Sequence, residues 1–274
     1  MSRKNWSSEK LFFRLLNNKT QKTYFENISE LHRRPNQKVF ERAIDLGKSK
    51  IDREKIIGID VLAQLGLDKR YNQKQILDLY FSILSIPQTP KVLFSTLSAI
   101  GHNNGELKKQ QVVSIEQFKN HNYSDVRFGV VCALMGVEHK LAIDTLIELS
   151  SDSHHQVRDW ATFSIGSQTE INTPAIIAAL QSRLSDTDHN TRFEAISGLA
   201  QRKHNSVKSI LIDELEIIDD HGSLILESIE LFGDKSFIPL IEAQIEKNKK
   251  LKSINEKWLV DSMKRLINNT HNSG

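Results

Sequence analysis

A single helical template recurs along this chain at intervals of 31 to 38 residues. Each full copy begins with a basic residue and has a small or β-branched residue three positions on, an aliphatic residue seven positions on and a compact residue eight positions on. The full copies begin at Lys55, Arg127, Arg158 and Arg192, and copies without the basic residue begin at Leu93 and Ile225. Because one such unit cannot bury its apolar face alone, neighbouring units must stack into a continuous core.

The template predicts an amphipathic helix. Apolar residues recur at spacings of three and four, as in Val126, Val130 and Leu134, which places them on one helical face. A second helix with the same periodicity is predicted after a short turn, over 141–149, 175–184, 207–215 and 237–245. Strand-type alternation does not occur, so we predict stacked helical hairpins and essentially no β-sheet.

Helix-terminating residues agree with this division. Thr173 followed by Pro174 supplies a capping hydroxyl and a proline at the first helical position. Asp152 and Asp186 follow helices that end in Leu-Ser, and we expect each to cap the next template helix. Glycines stand where template helices are predicted to end, a position that tolerates left-handed backbone; they are Gly101, Gly136, Gly166 and Gly233.

The stretch 122–244 resembles the HEAT-like repeats that are also described as phycobilisome-lyase-type repeats. The residues that carry the resemblance are Val126-Arg127, Val157-Arg158, Thr191-Arg192, Ala161 and Ala195. The resemblance implies an all-α, right-handed α–α superhelix, or solenoid, in which second helices line a concave face that grips proteins, peptides or sometimes nucleic acid. It also implies that Arg127, Arg158 and Arg192 are structural repeat positions, which pack and form hydrogen bonds between repeats.

We predict one solenoid over residues 8–269, with about seven to eight helix pairs, and polar, flexible tails at 1–7 and 270–274. The longest interval follows the first full copy, and the insertion after Gly101 predicts a longer connection there. Loops of repeat proteins tend to lie on one face, so this loop is a candidate for partner contact.

Charge is distributed unevenly along the chain. The net formal charge is +3, but residues 1–55 contain 14 Lys and Arg against 7 Asp and Glu. The candidate patch for an acidic partner or nucleic acid comprises Arg33, Arg34, Lys38 and Arg42. Interleaved acidic residues allow local ion pairs instead, so a solvated helical face is the alternative interpretation.

The single cysteine and the hydropathy of the chain indicate the cellular compartment of the protein. Cys132 has no second cysteine with which to form an intramolecular disulfide, which suits a reducing compartment. The N-terminus reads neither as a signal peptide nor as a membrane span. We therefore expect a cytoplasmic protein, a monomer without membrane association.

Candidate chemistry is weak throughout the chain. Asp186, Asp188 and Asn190 imitate the start of a calcium loop but lack its glycine and its bidentate glutamate, and Cys132 is interpreted as a buried helix residue. Arg158, Asp159 and Trp160 suggest the DNA alkylation-repeat glycosylases only by analogy of fold. We predict no catalytic residue, no cofactor and no metal.

The predicted function is that of a non-catalytic HEAT-repeat scaffold, which binds a protein partner along its concave face. The alternative is nucleic-acid binding through the basic N-terminal third, which phosphate contacts would make steeply dependent on salt. A third hypothesis, a DNA alkylation-repeat-like enzyme, is the least favoured.

Overall fold

The computed structural model describes residues 3–18, 20–219 and 222–268. Within those ranges there are sixteen α-helices, four short 3-10 helices and no β-strand, which confirms the all-α prediction. The helices are α1 Ser8–Leu16, α2 Gln21–His32, α3 Gln37–Gly47, α4 Asp52–Ala63, α5 Gln73–Leu84, α6 Pro90–Gly101, α7 Lys109–Glu116, α8 Ser124–Leu134, α9 Lys140–Leu149, α10 His155–Ser167, α11 Pro174–Arg183, α12 His189–Gln201, α13 Lys208–Glu216, α14 Ser223–Phe232, α15 Ile238–Leu251 and α16 Glu256–Asn268. None of these described helices is both long and apolar enough to cross a bilayer.

The chain divides into two compact units, which we call the N-terminal unit (residues 1–145) and the C-terminal unit (residues 146–274). The boundary falls within α9. The predicted extent of a single solenoid, over residues 8–269, stays a prediction. Residues 270–274 of the predicted tail lie outside the described residues.

The N-terminal unit has two layers of helices. The even-numbered helices α2, α4, α6 and α8 pack against one another in succession, and the odd-numbered helices α1, α3, α5 and α7 lie behind them. Contacts between successive even-numbered helices are more extensive than those between successive odd-numbered ones. Since the even-numbered helices are closer together, this unit curves towards their side.

The C-terminal unit repeats the same arrangement. Helices α10, α12, α14 and α16 pack in succession, and α11, α13 and α15 connect them. The recurring template forms α4, α6, α8, α10, α12 and α14, so one layer of each unit is built from template helices.

The order of the two helices within a hairpin differs from the prediction. We expect the template helix to come first in each hairpin, but α4 packs far more extensively against α3 than against α5, and α12 more against α11 than against α13. Helices α4 and α12 are therefore each the second helix of a pair, whereas the template helix α10 packs against the following helix α11. Sequence periodicity defines the repeat length but not which neighbour a helix packs against.

The aliphatic template residues form the core. Leu62, Leu134, Ile165 and Leu199 have no exposed surface, and replacing a leucine at such a site by alanine costs about 2–5 kcal/mol of stability. The compact positions allow close approach between template helices. A methyl group on Gly198 of α12 would lie 2.6 Å from the Cα of Gly166 in α10.

The structure corrects two of the predicted helix ends and confirms others. Thr173 caps α11, with its Oγ1 accepting from the Ile176 amide at 3.3 Å. Asp188, not Asp186, caps α12, and its Oδ1 accepts from the Thr191 amide at 2.9 Å.

His154, not Asp152, stands at the N-cap of α10, and Asp152 accepts a hydrogen bond from the His154 amide. Gly136 and Gly233 have positive φ as predicted, whereas Gly101 and Gly166 lie within helices, where they let neighbouring helices approach.

Two segments outside the regular helices are held by side-chain hydrogen bonds. Residues 3–6, part of the predicted N-terminal tail, lie against α2, because Arg3 donates to Asn27 of that helix. Arg34, just after α2, also donates to the carbonyls of Arg3 and Trp6. In the connection after Gly101, the amide of buried Asn103 donates to the carbonyls of Ala63 and Ala99 at 2.9 Å.

Candidate binding groove

A groove of about 1050 Å³ lies on the even-numbered face of the N-terminal unit. Helices α2, α4 and α6 and the first turn of α8 line it with residues spaced three or four apart, so each helix presents one face. Its lining residues include Phe25, His32, Arg33, Asp52, Asp60, Lys91, Phe94, Ser95, His102, Tyr123 and Asp125. The groove thus spans four successive helices of one layer.

Aromatic side chains form the apolar part of the groove. Phe25 and Tyr123 are 55% and 61% exposed, at opposite ends of the four-helix span. Phe94 lies between them on α6 and stacks on Phe128 of α8, with ring centroids 6.2 Å apart. Exposed aromatic residues that share a concave face are typical of a surface that binds a partner.

Asp60 is the central polar group of the groove. Its Oδ2 accepts a hydrogen bond from the Tyr24 hydroxyl at 2.6 Å, and its Oδ1 accepts one from Ser95 Oγ at 2.7 Å. Tyr24 belongs to α2 and Ser95 to α6, so the carboxyl group of α4 bridges three helices. Burial raises the pKa of Asp60, and the two hydrogen bonds offset part of that rise.

Two histidines flank this carboxyl group. His32 Nε2 lies 2.9 Å from the backbone oxygen of Asp60, and His102 Nε2 lies 3.3 Å from Nε2 of Gln64. Burial lowers the pKa of both histidines, and the positive charge of Arg70 lowers it further. Both imidazoles are therefore neutral at pH 7.

The four basic residues singled out from the sequence have different surroundings. Arg33 lies at the end of α2 and lines the groove. Arg34 is half-buried, and it pairs with Glu30 at 2.7 Å in addition to its bonds to the N-terminal carbonyls. Lys38 and Arg42 are exposed on α3. Three of the four thus stay open to a partner, and one is used within the chain.

The three template arginines each bind backbone carbonyls that lie shortly before their own helix. Arg127 donates to His121 O, Arg158 to Asp152 O and Arg192 to Leu184 O, at 2.9–3.1 Å.

Arg158 and Arg192 also bind carboxylates further along the chain. Arg158 binds Asp186 through two parallel bonds of 2.9 Å, and Arg192 pairs with Glu214.

The residues behind the glycosylase analogy lie in the C-terminal unit. Arg158 is held by Asp186, and Trp160 packs edge-on against Phe163 in the same helix. Burial and, to a smaller extent, the charge of Asp159 together raise the pKa of Glu194 to about 7. Among the described residues, no group of three or more histidines, cysteines and acidic residues is arranged to hold a metal ion.

Cys132 belongs to the N-terminal unit and is half-buried rather than fully buried as expected. Burial raises the pKa of its thiol to about 11. The group is therefore a thiol, not a thiolate, at neutral pH.

Comparison with known proteins agrees with the resemblance. The model of HEAT repeats matches residues 143–223, inside the stretch whose residues carry the resemblance. The chain is thus similar to HEAT-repeat proteins. It is 28% identical over 245 residues to protein YibA of Escherichia coli K12, covering 86% of this chain and 84% of YibA.

Solved structures share the fold of this chain. The X-ray structure of the Escherichia coli YibA protein matches 97% of this chain and 94% of its own, with a TM-score of 0.74 and 22% identity. An engineered protein matches 96% of this chain and 78% of its own, with a TM-score of 0.54 and 14% identity. These likenesses establish the fold.

Sequence reasoning missed the groove and its central residue. Asp60 stands in a template helix, but its importance depends on Tyr24 and Ser95, which lie 36 and 35 residues away. It also missed Arg202, which donates to the carbonyl of Ile165 in α10 and to that of Ile171 beyond this helix. A polar stripe on the exposed side of the template helices is the only sequence signal for the groove.

Proposed function

We propose that this chain is a non-catalytic HEAT-repeat scaffold that binds an extended segment of a partner protein in the groove of its N-terminal unit. The observation that carries the proposal is the groove itself, a concave apolar surface shared by four successive helices. Within this proposal the chain acts in the cytoplasm as a monomer.

The dimensions of the groove favour a polypeptide segment. Packed helices lie roughly 8–10 Å apart, so four successive helices span about 27 Å. An extended chain advances about 3.3–3.6 Å per residue, so a segment of about eight residues would cross all four. Such a segment would contact Phe25 at one end and Tyr123 at the other.

The chemistry of the groove supports binding rather than turnover. The carboxyl oxygens of Asp60 accept bonds from Tyr24 and Ser95, and His32 bonds to the backbone of Asp60. These bonds join neighbouring helices. A catalytic base must instead reach the proton that it abstracts from a substrate.

The test compares affinity capture by the wild-type full chain and by a groove variant. Phe25→Glu with Tyr123→Glu places two charges at exposed groove positions, whereas Phe13→Glu is the matched control, because Phe13 is 63% exposed and does not line the groove. We expect the same partner protein with the wild type and with the control, with and without nuclease, and its loss with the double variant.

Two results would contradict this proposal. A partner retained by the double variant would place binding elsewhere on the chain. Material released by nuclease and lost on neutralising Arg33, Lys38 and Arg42 would favour the nucleic-acid alternative.

A further inference from the structure

The carboxyl group of Asp60 is half-buried in the floor of the groove. The residues that bind it are the hydroxyl groups of Tyr24 and Ser95, and among the described residues no lysine or arginine pairs with it. A buried charge without a counterion is unfavourable, and folding alone does not explain its presence.

The carboxyl group keeps capacity for a ligand. Each carboxylate oxygen has two acceptor positions, and each oxygen of Asp60 accepts one bond, from Tyr24 or Ser95. One further acceptor position therefore remains on each oxygen. Two parallel acceptors are the arrangement that the planar fork of a guanidinium group binds.

We propose that Asp60 anchors the guanidinium group of an arginine side chain of the bound partner segment. This inference rests on the proposed function, since the arginine belongs to the segment in the groove. Phe94, which neighbours Ser95 on α6 and lines the same groove, offers an aromatic surface for the side chain. Arginine suits the position better than lysine because it binds two acceptors and is less strongly hydrated.

The other charges in the groove are compatible with an incoming cation. Asp52, Asp60 and Asp125 line it against the cations Arg33 and Lys91. Both of these cations are exposed, so solvent and salt screen them from the groove floor. His32 and His102 are neutral at pH 7 and add no positive charge.

The experiment selects peptides from a random twelve-residue library displayed on phage, with the wild-type full chain as target. Enriched peptides are synthesised, and their dissociation constants are measured for the wild type, Asp60→Asn and the control Asp144→Asn, which changes a surface aspartate outside the groove. In a second version of each peptide, citrulline replaces arginine, because it keeps the shape and removes the charge. The double variant Phe25→Glu with Tyr123→Glu tests whether a peptide occupies the groove.

We expect groove-dependent peptides that contain arginine. Asp60→Asn and the citrulline peptide should each weaken binding by roughly 10- to 100-fold, as for a hydrogen bond between charged groups. The two changes together should weaken binding little more than either alone, whereas Asp144→Asn should change it by less than about threefold, because Asp144 does not line the groove.

Two outcomes would overturn the inference, and they are distinguishable. Peptides that lose binding with the double variant but lack arginine, or bind Asp60→Asn unchanged, would refute the anchor and leave the proposed function standing. An absence of any peptide whose binding depends on Phe25 and Tyr123 would refute both.

Discussion

Asp186 and Asp60 are both carboxylates shielded from water, but the chain surrounds them differently. Asp186 is 5% exposed and faces the guanidinium groups of Arg158 and Arg183. Desolvation alone would raise its pKa, but the bonds from Arg158 and the Asp188 amide, together with both positive charges, lower it. Asp60 has hydroxyl partners only, and its pKa is raised. We therefore expect opposite effects on stability.

Replacing Asp186→Asn should lower the free energy of unfolding at pH 7 by about 2–3 kcal/mol, because it breaks a bidentate ion pair that is mostly buried. Since the folded-state pKa of Asp186 is lowered, its contribution is complete above the unfolded value of about 3.9 and is lost as the pH falls below it. Urea unfolding at pH 7 and at pH 3 measures both effects.

The matched control for this substitution is Asp144→Asn. Asp144 pairs with Lys140 at the surface, where the two side chains are 44% and 85% exposed. An exposed pair within one helix contributes less than about 0.5 kcal/mol. Equal losses for Asp144→Asn and Asp186→Asn would contradict the assignment of a structural ion pair at Asp186.

Replacing Asp60→Asn should leave the stability at pH 7 unchanged or raise it, although we expect it to weaken binding. The folded-state pKa of Asp60 is raised, so the wild type gains stability as the pH falls from that raised value towards the unfolded value of about 3.9. The Asn variant lacks this gain. A marked loss of stability in urea at pH 7 would show that Asp60 is mainly structural.

Helices α10 and α12 pack closely because the residues at their interface are small. Gly198→Ala should lower stability by about 1–3 kcal/mol, because the added methyl group would meet the backbone of Gly166 in α10 and force the helices apart. Without that clash, alanine would stabilise a helix relative to glycine by about 1 kcal/mol. The shift in the urea midpoint measures the outcome.

Gly105→Ala is the control for this change, because a methyl group on Gly105 meets nothing within 4 Å. We expect its stability to stay within about 0.5 kcal/mol of the wild type. If Gly198→Ala changed the stability as little as Gly105→Ala, this would contradict the close approach of α10 and α12.

The elements were predictable where a repeated local pattern specifies them. Periodicity gave the template helices and the second helices between 141 and 245, and Thr173 with Pro174 gave the start of α11. The phase of the hairpins was not predictable, because α4 has apolar residues towards both α3 and α5. Packing against α3 is a tertiary preference that no local spacing records.

The sequence predicts that a concave surface exists but not which residues line the groove. Stacked repeats imply a concave surface, but the contact from Tyr24 to Asp60 joins residues 36 positions apart. The basic patch was predicted from the distribution of charge along the chain. In the fold, one of its residues, Arg34, binds the N-terminal residues instead. Long-range contacts thus select which polar residues remain available to a partner.

Site-specific photo-crosslinking tests most directly whether the groove binds the partner. Benzoylphenylalanine is placed at Phe25, in the groove, or at Phe13, which is similarly exposed outside it. Each full-length variant is irradiated in native lysate, and crosslinked protein is identified by mass spectrometry. We predict a defined partner protein crosslinked from position 25 and absent from position 13. Equal crosslinking from both positions, or crosslinking from position 13 alone, would contradict binding in the groove.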